Sequence, residues 1–170
     1  MKKRTSRQKN GDLGEIEITK KAPCPNCGKK LILLPLNSPL YDVQCEGCFF
    51  RAQIKTSLRS PHSTILGGGW DILHKVLKTG YAAPPLIVNF KCKVGKRTEP
   101  TILFFPFITK NHTEHYKLGK NHPQKGYPMF EYVKIIKLPH FRLNIPRKLW
   151  ETGTPEDGEK SNRKIARMQK

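Results

Sequence analysis

Negative charge is scarce in this chain: 13 Asp and Glu stand against 32 Lys and Arg, a formal net charge of +19 over 170 residues. Such an excess repels itself in a compact fold unless a polyanion or bound counterions offset it. Nucleic acid fits that need, because each neutralised phosphate releases condensed counterions. The plainer alternatives are a solubility charge or an acidic membrane surface. Long apolar runs are also missing. The longest, Pro85 to Phe90 and Thr101 to Ile108, are strand-length, far short of the ~18 residues a membrane span needs. Nor does an apolar stretch follow Met1-Lys2-Lys3-Arg4, since Thr5 to Lys21 is polar throughout. No secretory signal is therefore expected, and a cytoplasmic location is. No internal repeat is visible.

The apolar share is only 36%, with much of the shortfall at the two ends. Residues 1–10 read as a basic disordered arm, 11–150 as one domain, and 151–170 as a flexible tail. Within the domain, Leu13 and Ile16 permit a short helix over Asn10 to Thr19 that carries Glu15, although Gly11 and Gly14 weaken it. Strands are expected at Leu31–Leu34, Tyr41–Cys45 and Phe49–Lys55, the last two joined by the turn Glu46-Gly47. A loop follows from Ser57 to Gly69, where the Gly67–Gly69 run reads as a hinge. Trp70, Leu73, Val76 and Leu77 share one helical face over Trp70 to Lys78, and Gly80 ends that helix. Leu86–Phe90 is a near-continuous apolar run of the kind a central strand needs. Val94 to Pro100 reads as a polar connection, Thr101 to Phe107 as a strand, and residues 110–127 as turn-rich chain. Late strands are expected at Val133–Leu138 and Phe141–Ile145. The sum is a mixed α/β domain.

Four of the five cysteines form two knuckles, Cys24-Pro25-Asn26-Cys27 and Cys45-Glu46-Gly47-Cys48, with 17 residues between them. Two thiolates three positions apart on a tight turn can meet one tetrahedral Zn²⁺ at about 2.3 Å, and two such turns complete its shell. Gly28 and Gly47 supply backbone freedom for those turns. Two disulfides fit a reducing compartment poorly, and a redox Cys-x-x-Cys leaves the second pair unexplained. The expectation is a structural zinc ribbon at about residues 22–50, with Cys92 a buried thiol outside it.

The hairpin that carries the second knuckle holds more. Asp42 stands three residues before Cys45, and Gln53-Ile54-Lys55 begins five after Cys48. In an extended strand, Gln53 and Lys55 share one face while Ala52 and Ile54 share the other. Folding back on the knuckle brings Asp42 near Gln53. An acid, an amide oxygen and an ammonium then gather on one side of a ribbon. Carboxylate and amide oxygens suit a hard cation such as Mg²⁺ or Mn²⁺, and an ammonium can orient water and stabilise phosphate charge. The same residues could equally line a solvated strand face.

This stretch resembles a known family. Cys24-Pro-Asn-Cys-Gly28, then Asp42, Cys45-x-x-Cys48 and Gln53-Ile-Lys55 are similar in order to the DpnI-like and Dam-replacing restriction endonucleases. Those belong to the PD-(D/E)XK nuclease superfamily and embed a zinc site beside the catalytic hairpin. The similarity extends upstream to Glu15, through Gly67-Gly68-Gly69-Trp70, and more faintly to about Trp150. It implies a mixed sheet flanked by helices and a DNA endonuclease that hydrolyses phosphodiesters with Mg²⁺ or Mn²⁺. Asp42 would be the metal-binding acid, Gln53 the second ligand position, Lys55 the catalytic lysine and Glu15 an auxiliary acid. DNA rather than RNA would be the partner, with a homodimer on DNA for double-strand cutting. Two departures stand out. Gln53 replaces the usual Glu or Asp and donates less charge. The winged helix that those enzymes carry after the nuclease domain has no room here, so methylation-directed recognition is the feature the resemblance carries least.

Other readings remain open at this level. His112-Thr-Glu-His115 could mark an HNH-type nuclease, although there the knuckles bracket the histidines. Lys134, Lys137, Arg142, Arg147 and Lys148, interleaved with Phe130, Tyr132 and Phe141, could form a basic face, but aromatics at strand spacing are more often core. The rival from another class is a non-catalytic zinc-ribbon module that binds nucleic acid.

Overall fold

A computed structural model of the chain describes residues 5–36, 38–94, 97–122 and 125–145. The expected tail, residues 1–4, Arg147, Lys148 and Trp150 lie outside that set. The mixed α/β class holds: two helices pack with two sheets.

Helix α1 spans Ser6–Lys21 and is longer than expected, so residues 6–10 are helix rather than disordered arm. The reason is a capping box: the Thr5 hydroxyl accepts from the Gln8 amide while the Gln8 side chain accepts from the Thr5 amide. Two of the helix's orphan donors are thereby satisfied, a local effect that composition does not register. Strands β1 (Leu31–Leu33), β2 (Val43–Cys45) and β3 (Arg51–Ser57) form an antiparallel meander. After β3 the chain makes β4 (Ile65–Gly68) and helix α2 (Trp70–Lys78), then returns as β5 (Leu86–Val94), which runs parallel to β3. β6 (Arg97–Phe105) folds back on β5. β7 (Thr113–Tyr116), β8 (Met129–Tyr132) and the short β9 (Phe141–Arg142) complete the set.

Two sheets result: a six-stranded one ordered β1-β2-β3-β5-β6-β9 and a three-stranded one ordered β4-β8-β7. β5 lies inside the larger sheet with both faces covered, which explains its unbroken apolar run. Ile87 faces a cluster with Ile18 of α1, Val43, Ile54 and Ile102. Its neighbours Leu86, Val88 and Phe90 face the opposite way, onto Leu73 of α2 and Phe130 and Tyr132 of β8. α1 therefore covers one face, and the smaller sheet with α2 covers the other.

Several expectations need correction. Residues 97–100 continue β6 rather than forming a loose connection, because the β5–β6 ladder uses backbone bonds and needs no apolar side chains. The late strand lies at Met129–Tyr132, and Ile135–Lys137 is a 3-10 turn instead. Phe141–Ile145 keeps strand pairing only at Phe141 and Arg142. The Gly67–Gly69 run is not a hinge. Gly67 and Gly68 sit within β4, and a Cβ on Gly67 would lie 2.4 Å from the Phe130 ring. Glycine is used there for close approach across the β4–β8 pair, a contact that depends on a partner more than 60 positions away.

Candidate functional site

Two groups of side chains share the β1–β2–β3 meander. The first is the cysteines. Cys24 and Cys27 come from the turn after α1, closed by bonds from the Gly28 amide to the Cys24 carbonyl and from the Cys24 amide to the Lys29 carbonyl. Gly28 takes φ of 79°, the left-handed conformation that favours glycine. Cys45 ends β2, and its amide bonds the Phe50 carbonyl, folding the second knuckle back onto β3. Cys24 and Cys48 place their Sγ atoms 3.6 Å apart, and Cys27 and Cys45 theirs 3.3 Å apart. All four sulfurs lie within 4.8 Å of one another. A tetrahedral zinc with bonds of about 2.3 Å needs sulfurs separated by roughly 3.8 Å. The cluster could therefore hold a zinc ion.

Local polar groups prepare these thiols unevenly. Burial pushes the Cys24 thiol up to about 12. The Asn26 side-chain amide, with the Phe50 backbone, brings Cys48 down to about 6. The Gly47 amide donates to the Cys45 sulfur at 3.3 Å. Cys92 stands on β5, half-buried and outside the cluster.

The second group surrounds β3. The pairs Val43↔Ala52 and Gln44↔Arg51 set Asp42 across from Gln53, the register expected from the knuckle. Asp42 is fixed by three bonds, one of them from the Leu34 amide to its carbonyl. Its amide donates to the Ala52 carbonyl, and its Oδ2 accepts from the Ile54 amide at 2.6 Å. Alternation along β3 also follows expectation: Ala52 and Ile54 pack in the core against α1, while Gln53 and Lys55 turn toward β8. What spacing could not reveal is how deeply these polar groups lie. Gln53 is only 6% exposed, and its Oε1 accepts a hydrogen bond from the Tyr132 hydroxyl. Burial holds the Lys55 amine below the usual lysine range, while the negative charges of Asp42 and Glu15 pull it back up. Asp42 also acts on Tyr132, whose phenol is held well above its usual range by burial and then by that carboxylate. Asp42, Gln53, Lys55, Glu15 and Tyr132 thus form one electrostatically coupled group. A solvated strand face does not describe it.

Tyr132 was not among the residues singled out by spacing, since the motif that carries Gln53 lies 79 positions upstream. A second omission is Glu17, one turn-half on from Glu15 in α1. Burial raises its carboxyl, but hydrogen bonds from Lys21, Lys91 and Asn89 outweigh this and bring it down to about 2. Lys91 reaches it at 2.7 Å and Asn89 at 3.0 Å, so Glu17 ties α1 to β5. Gly14 lets the helix sit this close: a Cβ there would lie 1.9 Å from the Thr56 hydroxyl oxygen on β3. The glycine that weakens α1 as a helix is what seats it on the sheet.

The histidines of the His112–His115 segment do not join the cysteines. His112 bonds the Thr109 hydroxyl at 2.8 Å, and His115 stacks on Trp70. Among the described residues, the four cysteines alone make a group of three or more Cys, His, Asp or Glu near enough to share one ion. Phe130 and Tyr132 are fully buried, which takes them out of any basic surface with Lys134 and Lys137. No described helix is long and apolar enough to cross a membrane. Compared with known proteins, the chain matches no family model and no curated relative.

Proposed function

We propose that this protein is a DNA endonuclease of the PD-(D/E)XK type that uses Mg²⁺ or Mn²⁺ and carries a structural zinc ribbon. The observation that carries the reading is the coupled group of Asp42, Gln53, Lys55 and Glu15 at the β2–β3 edge. Its setting adds support: a helix, a three-stranded meander, and a crossover through α2 to a parallel strand beside the one that carries Gln53 and Lys55.

The donor set fits a hard divalent cation. Asp42 and Gln53 would hold it, since an ionised carboxylate has acceptor sites beyond the one Ile54 uses, and an amide oxygen keeps a second lone pair beside Tyr132. When bound, the cation would supply a water acidic enough to attack and a charge opposite the phosphate oxygens. Tyr132 fixes the Gln53 amide so that its oxygen faces one direction. Lys55 is half-buried on β3, so it has fewer waters to lose than an exposed lysine. Its ammonium can therefore orient the attacking water and stabilise charge on the phosphate at little reorganisation cost. Burial lowers that lysine's pKa, and the charges of Asp42 and Glu15 oppose the lowering. The excess of basic residues over the whole chain favours attraction of a polyanionic substrate to the protein.

One observation favours a second reading. Gln53 is neutral, and its oxygen is already bonded by Tyr132, which weakens cation binding. In that case the chain is a zinc-ribbon nucleic-acid-binding protein without catalysis. Plasmid incubation separates the two. Asp42→Ala and Lys55→Ala should each lower Mg²⁺- or Mn²⁺-dependent cleavage by about a thousandfold or more, with zinc content and DNA binding retained. Cation-dependent cutting by both variants would place the chemistry elsewhere. Binding without cutting by the unaltered protein would favour the second reading. Running adenine-methylated and unmethylated plasmid side by side tests methylation-directed recognition.

A further inference from the structure

A cavity of about 410 Å³ lies beside α2, lined by Trp70, His74, Leu77, Lys78, Lys110 and Thr113. Four of these come from successive turns of one helix, and the other two from the segment that leads into β7. The size falls within the ~300–1,000 Å³ usual for small-molecule sites. Its wall is aromatic. The Trp70 indole stacks with the His74 imidazole at 4.9 Å between centroids and 15° between planes, and with His115 at 5.3 Å and 3°. Three rings from two elements are thus held almost parallel. The lining carries two lysines and no carboxylate.

Flat rings held parallel offer a stacking surface to any nucleobase, because every base has a π-face. Two ammonium groups without a competing acid favour an anion beside it. We infer that this cavity binds one nucleotide of a nucleic-acid strand, its base on the face of His74 turned away from Trp70 and its phosphate between Lys78 and Lys110. The proposal rests on the nuclease reading only for the identity of the strand to which that nucleotide belongs. The cavity also stands on the same side of the central sheet as Gln53 and Lys55. Trp70 packs on Phe130 at 6.4 Å, Phe130 on Tyr132 at 4.9 Å, and Tyr132 bonds Gln53. A strand engaged at the Asp42 edge could therefore be gripped a second time by α2.

The test uses the full zinc-loaded chain without Mg²⁺ or Mn²⁺. Adenosine monophosphate and inorganic phosphate are the probes, and the readout is the ring signals of His74 and His115 by NMR. The nucleotide should shift both histidines, and phosphate alone should bind at least roughly fivefold more weakly, the lower end of what one stacked base contributes. His74→Ala should weaken nucleotide binding by about fivefold or more, and Lys78→Ala with Lys110→Ala by about tenfold. Both changes fall at the cavity wall, so melting temperatures should stay near that of the unaltered protein. Equal affinity for phosphate and nucleotide, no binding at all, or variants that bind as well as the parent would overturn the proposal. Asp42→Ala should leave nucleotide binding intact. A chain that binds nucleotide but never cuts DNA loses only the nuclease reading, and one that cuts but ignores nucleotide loses only this site.

Discussion

The four thiols and the Asp42 group meet at the β1–β2–β3 meander yet are assembled in opposite ways. Every member of the thiol cluster lies within 25 positions, on two turns closed by their own backbone bonds. The Asp42 group draws on α1, the β2–β3 edge and β8, and its most buried contact joins residues 79 positions apart. The first is a short-range device whose four sulfurs lie close enough to share one ion. The second exists only once both faces of the sheet are covered. Order at the ribbon therefore needs only local contacts, while precision at the acid–amide–lysine group depends on the whole fold.

Removing the ion attacks the local device and should give the largest effect. A strong thiol-competent zinc chelator is expected to cost on the order of 10 kcal/mol of folding free energy at neutral pH. Four thiols should become reactive together with loss of the melting transition. A chelator selective for Mg²⁺ should leave that transition in place, and a stable, fully folded zinc-free chain would break the contrast. Next in size is the long-range device. Tyr132→Phe deprives the buried Gln53 oxygen of its donor and should destabilise by about 1–3 kcal/mol in denaturant melts, with zinc content unchanged. A Tyr132→Phe variant as stable as the parent would mean that Gln53 finds another partner when the phenol is gone.

The smallest effect is electrostatic and tests how α1 is held. Glu17 falls from 4.5 in the unfolded chain to about 2 in the fold. Its contribution is therefore complete above pH 4.5 and is lost as pH drops through that window toward 2. Solvent screening limits it to on the order of 1 kcal/mol. Acid titration of stability should show that loss in the parent chain and not in Glu17→Gln. Identical acid profiles would show that the Lys91 and Asn89 contacts add nothing to the seating of the helix.

How far these features were legible follows from their range. The knuckles, the α2 face and the β5 run rest on spacing within a few residues, and the structure keeps all three. The Asp42–Gln53 register was legible for the same reason, because the knuckle is its turn. β4 and β7 were not: glycines at 67 and 68 and the polar Thr113–Tyr116 carry no strand pattern, and each becomes a strand by pairing with β8. The length of α1 was missed because Thr5 and Gln8 lie in a basic stretch whose composition suggests disorder. Trp70 was legible as a core residue, but its stack with His115 was not, since nothing in the order of residues brings β7 to α2.

By itself, the order of residues determined the cysteine cluster, the polar and apolar faces of β3, and the charge that favours a polyanionic partner. Each depends on bond geometry over a few positions or on simple counting. Only the tertiary structure decided that Gln53 is buried and Lys55 half-buried, that Tyr132 holds the amide, and that Gly14 seats α1. Those outcomes require surfaces distant in sequence to exclude water together, and no local pattern encodes which surface will arrive.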